Sequence, residues 1–200
     1  MSGERGGGGP DDPGPADAES WTTLSSRTVY DNAWISVSHR DVVAPTGHPG
    51  IYGVVHFKQR AIGVVPLDEA GCTWLVGQWR YTLDAWSWEI PEGGAPPGES
   101  ALDAARRELA EETGLVAARW SPLLELHTSN SVTDERAVAF LARGLTEGAA
   151  APDETERLAV RRLPLDEAVE MVLDGRITDA LAMAALLKVH VLRARGELPA

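Results

Sequence analysis

The sequence predicts a mixed α/β (α+β) fold in which a mixed β-sheet carries helices packed on its faces. Two observations carry this expectation. Short runs rich in β-branched and aromatic residues, bounded by turn signals, recur from Trp21 to about Leu165. Three segments instead place apolar residues at helical spacing: Leu102 to Leu109, Leu165 to Val172, and the stretch after Thr178. No internal repeat is visible.

Composition narrows the class of protein. Two hundred residues fit one domain, or one domain with a small extension, and 44% hydrophobic content is ample for a core. No apolar run approaches the length of a membrane span, and the N-terminus has no apolar signal segment, so no membrane partner is expected. Cys72 is the single cysteine, and no Cys/His metal spacing is present. A reducing cytoplasm is the expected compartment. The net charge of −12 argues against nucleic acid as a partner, because phosphate backbones call for Lys/Arg surfaces. An acidic protein that handles phosphates needs divalent metal to offset both sets of charges.

Residues 1–19, MSGERGGGGPDDPGPADAE, have almost nothing to bury and read as a disordered tail. Residues 20–58 read as a three-stranded β meander, with turns at Asp31-Asn32 and Pro45-Thr46-Gly47. Residues 59–200 form the main domain. AIGVVPL suits a buried strand, CTWLVGQWRYTL is another, and in WSWEI the side chains of Trp86, Trp88 and Ile90 share one side. A Gly/Pro-rich loop then leads into a helix with Leu102, Ala105 and Leu109 on its apolar stripe and Gly114 at its C-terminus. AARWSPLLELHTS and AVAFLARGL are strands flanking the loop 130–136, and LAVRRLPL is a late strand. A helix from Leu165 closes at Gly175, and Thr178 and Asp179 cap a last helix to about Arg195.

The chemistry concentrates in Gly93–Leu115, GGAPPGESALDAARRELAEETGL. Glu108, Glu111 and Glu112 stand at i, i+3 and i+4 and share one helical face. Three like charges there repel, and a solvated acidic face is the plain alternative. The loop ahead of the helix has Gly93, Gly94 and Gly98, which let backbone carbonyls approach a bound ion. Such an oxygen-rich site suits a hard cation, Mg²⁺ or Mn²⁺.

The spacing also resembles a family. Gly93, five residues, Glu99, seven residues, Arg107-Glu108-Leu109, one residue, Glu111-Glu112, one residue and Gly114-Leu115 resembles the Nudix box, with every fixed position filled. The resemblance extends over residues 21 to 195 and implies the Nudix α/β/α sandwich. It implies Glu108, Glu111 and Glu112 as metal ligands, with the backbone carbonyl of Glu92 as a further one. Arg107 then orients a ligating glutamate, or else makes an ordinary helix salt bridge. Glu99 either touches metal through water or favours the helix dipole from the first turn.

The flanks resemble the ADP-ribose pyrophosphatase branch. QWRYTLDAWSWEIPEGG places an arginine after a Gln-aromatic pair and a glutamate just before the box, which maps substrate contacts onto Arg80 and Glu89. A strand-end arginine and a buried Glu–Arg pair are the alternatives. Trp86 and Trp88, with Trp79, offer base stacking or belong to the core. On the loop HTSNSVTDER, Glu135 matches the branch's general base, with Asp134 beside it and Glu111 or Glu112 as the fallback. Where the branch has Pro-Gly-aromatic, this chain has Asn130-Ser131-Val132, so GDP-mannose or ADP-glucose stands beside ADP-ribose as the implied substrate. The meander also resembles this branch, and that resemblance implies a homodimer in which each subunit completes the other's pocket. The implied reaction is hydrolysis of a nucleoside diphosphate sugar to nucleoside monophosphate and sugar phosphate. A catalytically weak nucleotide-sugar sensor and a dNTP or dinucleoside polyphosphate pyrophosphatase are the competing readings.

Overall fold

The computed structural model describes residues 20–148 and 157–199, and the tail expected over 1–19 lies outside them. An N-terminal antiparallel sheet holds β1 (Thr22–Asp31), β2 (Ile35–Val43) and β3 (Pro49–Phe57) in that order. The main unit follows with β4 (Arg60–Pro66), β5 (Cys72–Arg80), β6 (Ala85–Glu89), β7 (Glu92–Ala95), α1 (Ala101–Thr113), β8 (Leu115–His127), β9 (Arg136–Glu147), β10 (Ala159–Pro164), α2 (Leu165–Leu173) and α3 (Ala180–Ala194). Its strands form a mixed sheet of order β7-β4-β9-β8 and an antiparallel sheet of order β10-β5-β6.

β4 and β9 pair in parallel at the centre of the mixed sheet. A parallel pair must be covered on both faces, which is why AIGVVP and AVAFLA are almost continuously apolar. Alternate residues divide the core. Ile62, Val64, Val138, Phe140 and Ala142 face α1. Val65, Ala137, Ala139 and Leu141 join the cluster that includes Leu165, Leu181 and Leu186 of α2 and α3. The stripe expected on α1 is present, with Ala105 and Leu109 fully buried and Leu102 packed at the margin. Each fully buried leucine of this kind stabilises by about 1.5–3 kcal/mol.

Three expectations are corrected: β5 ends at Arg80 and leaves Tyr81–Leu83 in a turn, Glu99 stands ahead of the Ser100 N-cap and not in the first turn of α1, and the glycine loop is partly a strand. Where Gly93 and Gly94 predict a loop, the structure has β7, paired antiparallel with Arg60–Gly63. Two glycines weaken the local strand signal. The neighbouring strand β4 imposes the pairing, and a Cβ on Gly93 would lie 2.1 Å from Glu108 Oε1, so a larger residue there would displace that carboxylate. The first half of the expected loop is therefore a rigid edge strand beside α1.

Candidate active site

The acidic helix is pinned at both ends. Ser100 Oγ accepts from the Asp103 N–H at 3.1 Å as the N-cap. Gly114 adopts φ 71° and returns its N–H to Ala110 O at 2.9 Å. Between these caps, Arg107 resolves the repulsion among the glutamates. Its Nε and Nη2 fork onto Glu99 at 3.1 and 2.9 Å, and Nη2 also donates to Gly94 O at 2.9 Å. Nη1 donates to Glu108 Oε1 at 2.8 Å and Glu111 Oε2 at 3.1 Å. The hydrogen bonds that Arg107 donates to Glu99, then those to Glu108 and Glu111, hold its guanidinium above the ordinary arginine range. The Arg107 bond in turn holds the Glu99 carboxyl below the usual range. Glu99 thus clamps the arginine that orients Glu108 and Glu111.

Glu112 is buried and accepts from the Glu92 N–H at 3.0 Å. Strand parity explains that bond. The Val64 N–H donates to Pro91 O, so 64/91 is a hydrogen-bonded pair and the adjacent Gly63/Glu92 pair is not. The N–H and C=O of Glu92 therefore point away from β4. The carbonyl expected to serve a metal shares the side on which Glu112 stands.

A second charged group lies across β7. Arg80 Nε and Nη2 donate to Glu89 at 2.8 and 2.5 Å, and Nη2 also reaches Glu92 Oε1 at 3.0 Å. The hydrogen bonds to Glu89 push the arginine upward. Burial, reinforced by Asp179 and Glu89, pushes the Glu92 carboxyl well above the usual range. Its Oε2 is buried without a hydrogen-bond partner among the described residues. Asp179 caps α3 by accepting from the Ala182 N–H at 2.7 Å, and burial raises its carboxyl too. In the sequence Asp179 reads only as a helix cap. Its contribution to this wall comes from tertiary packing of α3.

A cavity of about 540 Å³ collects these groups: Arg80, Glu92, Gly93 and Gly94 face Thr128, Glu135 and Asp179 across it. Glu135 Oε2 accepts from Thr128 Oγ1 at 2.6 Å, which leaves Oε1 without a hydrogen bond from that threonine. Trp86 and Trp88 do not line this cavity. They pack edge to face, with ring centroids 5.9 Å apart, over Gly77 on the side of β6 opposite the buried Ser87 and Glu89. Trp79 is exposed on the neighbouring strand.

Among the described residues, no three His, Cys, Asp or Glu side chains are drawn together as a finished metal cage. Arg107 and the Glu92 N–H occupy the glutamates instead. The donors still fit a hard cation. Every one is oxygen, three stand on one helical face, and the glycine edge brings a carboxylate within contact of the backbone.

Fold and site together define a class of protein: an α+β domain with an acidic helix beside a glycine edge strand. Comparison with known proteins fixes the family. Residues 57–186 match the NUDIX domain, and residues 21–55 match the nucleoside diphosphate sugar hydrolase N-terminal domain. An ADP-ribose pyrophosphatase of Mycobacterium tuberculosis is 34% identical over 178 residues, covering 85% of this chain and 83% of the relative. A CMP-5'-(N-acetyl-N-hydroxy-3-aminopropyl)phosphonate hydrolase of Streptomyces rubellomurinus is 31% identical, covering 88% and 86%. A crystal structure of an ADP compounds hydrolase superposes with a TM-score of 0.79 at 25% identity, covering 89% of this chain and 97% of its own. The chain belongs to the Nudix family, in its ADP-ribose and nucleoside diphosphate sugar hydrolase group, and is a hydrolase. Nudix hydrolases generally use divalent metal ions. Among the described residues no helix is long and apolar enough to cross a membrane.

Proposed function

We propose that the protein hydrolyses the diphosphate linkage of a nucleoside diphosphate sugar, of ADP-ribose, GDP-mannose or ADP-glucose type, to nucleoside monophosphate and sugar phosphate, with Mg²⁺ or Mn²⁺. One observation carries this reading. Glu92, Gly93 and Gly94 of the glycine edge strand, whose neighbours are the Arg107-ordered glutamates of α1, line the same cavity as Arg80 and Glu135. Glu108, Glu111, Glu112 and the Glu92 carbonyl are the groups that would hold the cation. A bound divalent cation neutralises the diphosphate and lowers the pKa of an attacking water.

The remaining work falls to this chain's own side chains. Arg107 holds Glu108 and Glu111 in fixed rotamers, as a partner of ligating groups does. Glu135 takes the proton of the attacking water on Oε1 while Thr128 holds Oε2. Arg80 exchanges part of its pairing with Glu89 for the substrate's charged or hydroxylated half. Trp86 and Trp88 enter base recognition only through a second chain. Two relatives named for adenine and cytosine nucleotides stand at similar identity, which supports the class of substrate more strongly than its base. Residues 20–58 act as a distinct N-terminal piece in a homodimer. Every residue of β1 is exposed, and Leu24, Tyr30, Trp34 and Ile51 present apolar surface that a second copy would cover.

The test is a panel of ADP-ribose, GDP-mannose, UDP-glucose, diadenosine polyphosphates and dNTPs with Mg²⁺ or Mn²⁺, followed as released phosphomonoester. At least one nucleoside diphosphate sugar should be turned over fastest. Turnover of dNTPs alone would refute the sugar assignment, and no turnover of any member would refute the reaction.

A further inference from the structure

The loop that carries Glu135 is fastened to the N-terminal sheet of the same chain. Within the loop, the Val132 and Thr133 N–H groups both donate to Ser129 O at 3.1 Å, and the Glu135 N–H donates to Thr133 Oγ1 at 3.1 Å. Outward, the Val55 N–H donates to Val132 O at 2.9 Å, and the Asp134 N–H donates to Val55 O at 3.4 Å. Val55 and Thr133 form a parallel bridge. His56 Nδ1 and Asp134 Oδ2 stand 2.8 Å apart.

Val55 and His56 belong to β3, whose other edge is paired with β2. Residues 132–134 are thus added as a short parallel strip on the open edge of β3. Open strand edges accept such additions because their N–H and C=O groups lack partners. The strip ends next to Glu135. Fixing 132–134 fixes where the Glu135 side chain leaves the backbone, and the Thr128 bond then sets its carboxylate. The His56–Asp134 pair is exposed on both sides, so it stabilises the fold little. It sets the register of the strip.

We propose that the N-terminal sheet is a working part of the active centre in its own chain, with Val55 and His56 as positioning residues that hold Glu135 over the cavity. The proposal rests on reading Glu135 as the base. A displacement of about 1 Å in a catalytic group lowers rate on the order of 10²-fold, so loss of the strip should appear in kcat.

Val55→Pro removes the N–H that Val132 O accepts. That N–H faces the loop, so the β2–β3 ladder keeps its bonds, and proline is tolerated on an edge strand in this orientation. His56→Ala and Asp134→Ala test the side-chain pair without touching a strand bond. The readouts are amide hydrogen exchange across 129–136, and kcat and KM with Mg²⁺ and the panel substrate that is turned over fastest. Val55→Pro should speed exchange of the loop amides at least about tenfold. It should lower kcat about 10²-fold while KM changes by less than about threefold. Combining Val55→Pro with Glu135→Gln should cost no more than Glu135→Gln alone. If Val55→Pro does not fold, His56→Ala and Asp134→Ala decide: each should lower kcat, and the double variant should match the larger single effect. A released loop with unchanged kcat, or losses that multiply in full with Glu135→Gln, would overturn the proposal. An unchanged kcat in Glu135→Gln alone would instead remove the base assignment, whatever the exchange data say about the strip.

Discussion

Asp179 shows how one residue can serve the fold and burden it at once. As the N-cap of α3 it satisfies the Ala182 N–H, yet it is desolvated beside Glu89 and Glu92 with Arg80 as the counter-charge. Burial raises its carboxyl above the ordinary range. A raised acid favours folding fully below its unfolded value, and that contribution is lost as pH rises through the folded value. Asparagine caps a helix about as well as aspartate but carries no charge. Without added metal, the difference in Tm between Asp179→Asn and the parent should therefore grow in favour of the variant between about pH 4 and pH 8. Thermal melts across that range check it, and a pH-independent offset would contradict it. The sequence makes Asp179 readable as a cap because the signal is local. Its partners Glu89 and Arg80 are about a hundred residues away, and no spacing rule reaches them.

At the scale of the element, α1 and β7 act as one device. The helix holds the glutamates, the strand supplies the edge, and Arg107 bonds to both through Glu108, Glu111 and Gly94 O. Lysine keeps the charge but lacks the planar fork that grips Glu99 bidentately. Arg107→Lys should leave far-UV circular dichroism unchanged and raise the Mg²⁺ concentration for half-maximal rate about 10–100-fold, the cost typical of losing a partner of a metal ligand. An unchanged Mg²⁺ dependence would show that Arg107 makes an ordinary salt bridge. The helix was legible because its apolar period and Gly114 agree, although its start was not: Glu99 reads as a first-turn residue and the structure places it just ahead of the Ser100 N-cap. β7 was not, because Gly93 and Gly94 signal a turn locally and become a strand only through Arg60–Gly63 and the carboxylate of Glu108. Period two in WSWEI already separates Glu89 from Trp86 and Trp88, and the structure places them on opposite sides of β6.

On the scale of the whole molecule, the two-sided core of β4 and β9 could be read from their apolar runs, and the N-terminal meander from its turns. The union of the parts could not. The bridge from β3 to the Glu135 loop joins residues 55 and 133, and backbone bonds over such a separation leave no local pattern. The exposed apolar residues of the N-terminal sheet lead to an expected sedimentation mass of twice the 21.4 kDa chain. A monomer at micromolar concentration would contradict the dimer. The proposed function turns on the binding of a divalent cation by the glutamates of α1, on the substrate's diphosphate. Its most direct measurement is turnover of the preferred nucleoside diphosphate sugar against free Mg²⁺, in the parent and in Glu112→Gln. The parent should be inactive in excess chelator and recover along a saturable curve. Glu112→Gln, with its fold intact, should stay more than about 10²-fold below the parent at every concentration, a loss exceeding that of a mere partner to a ligand. Full turnover in chelator, or parental turnover in Glu112→Gln, would contradict a metal-holding role for these glutamates.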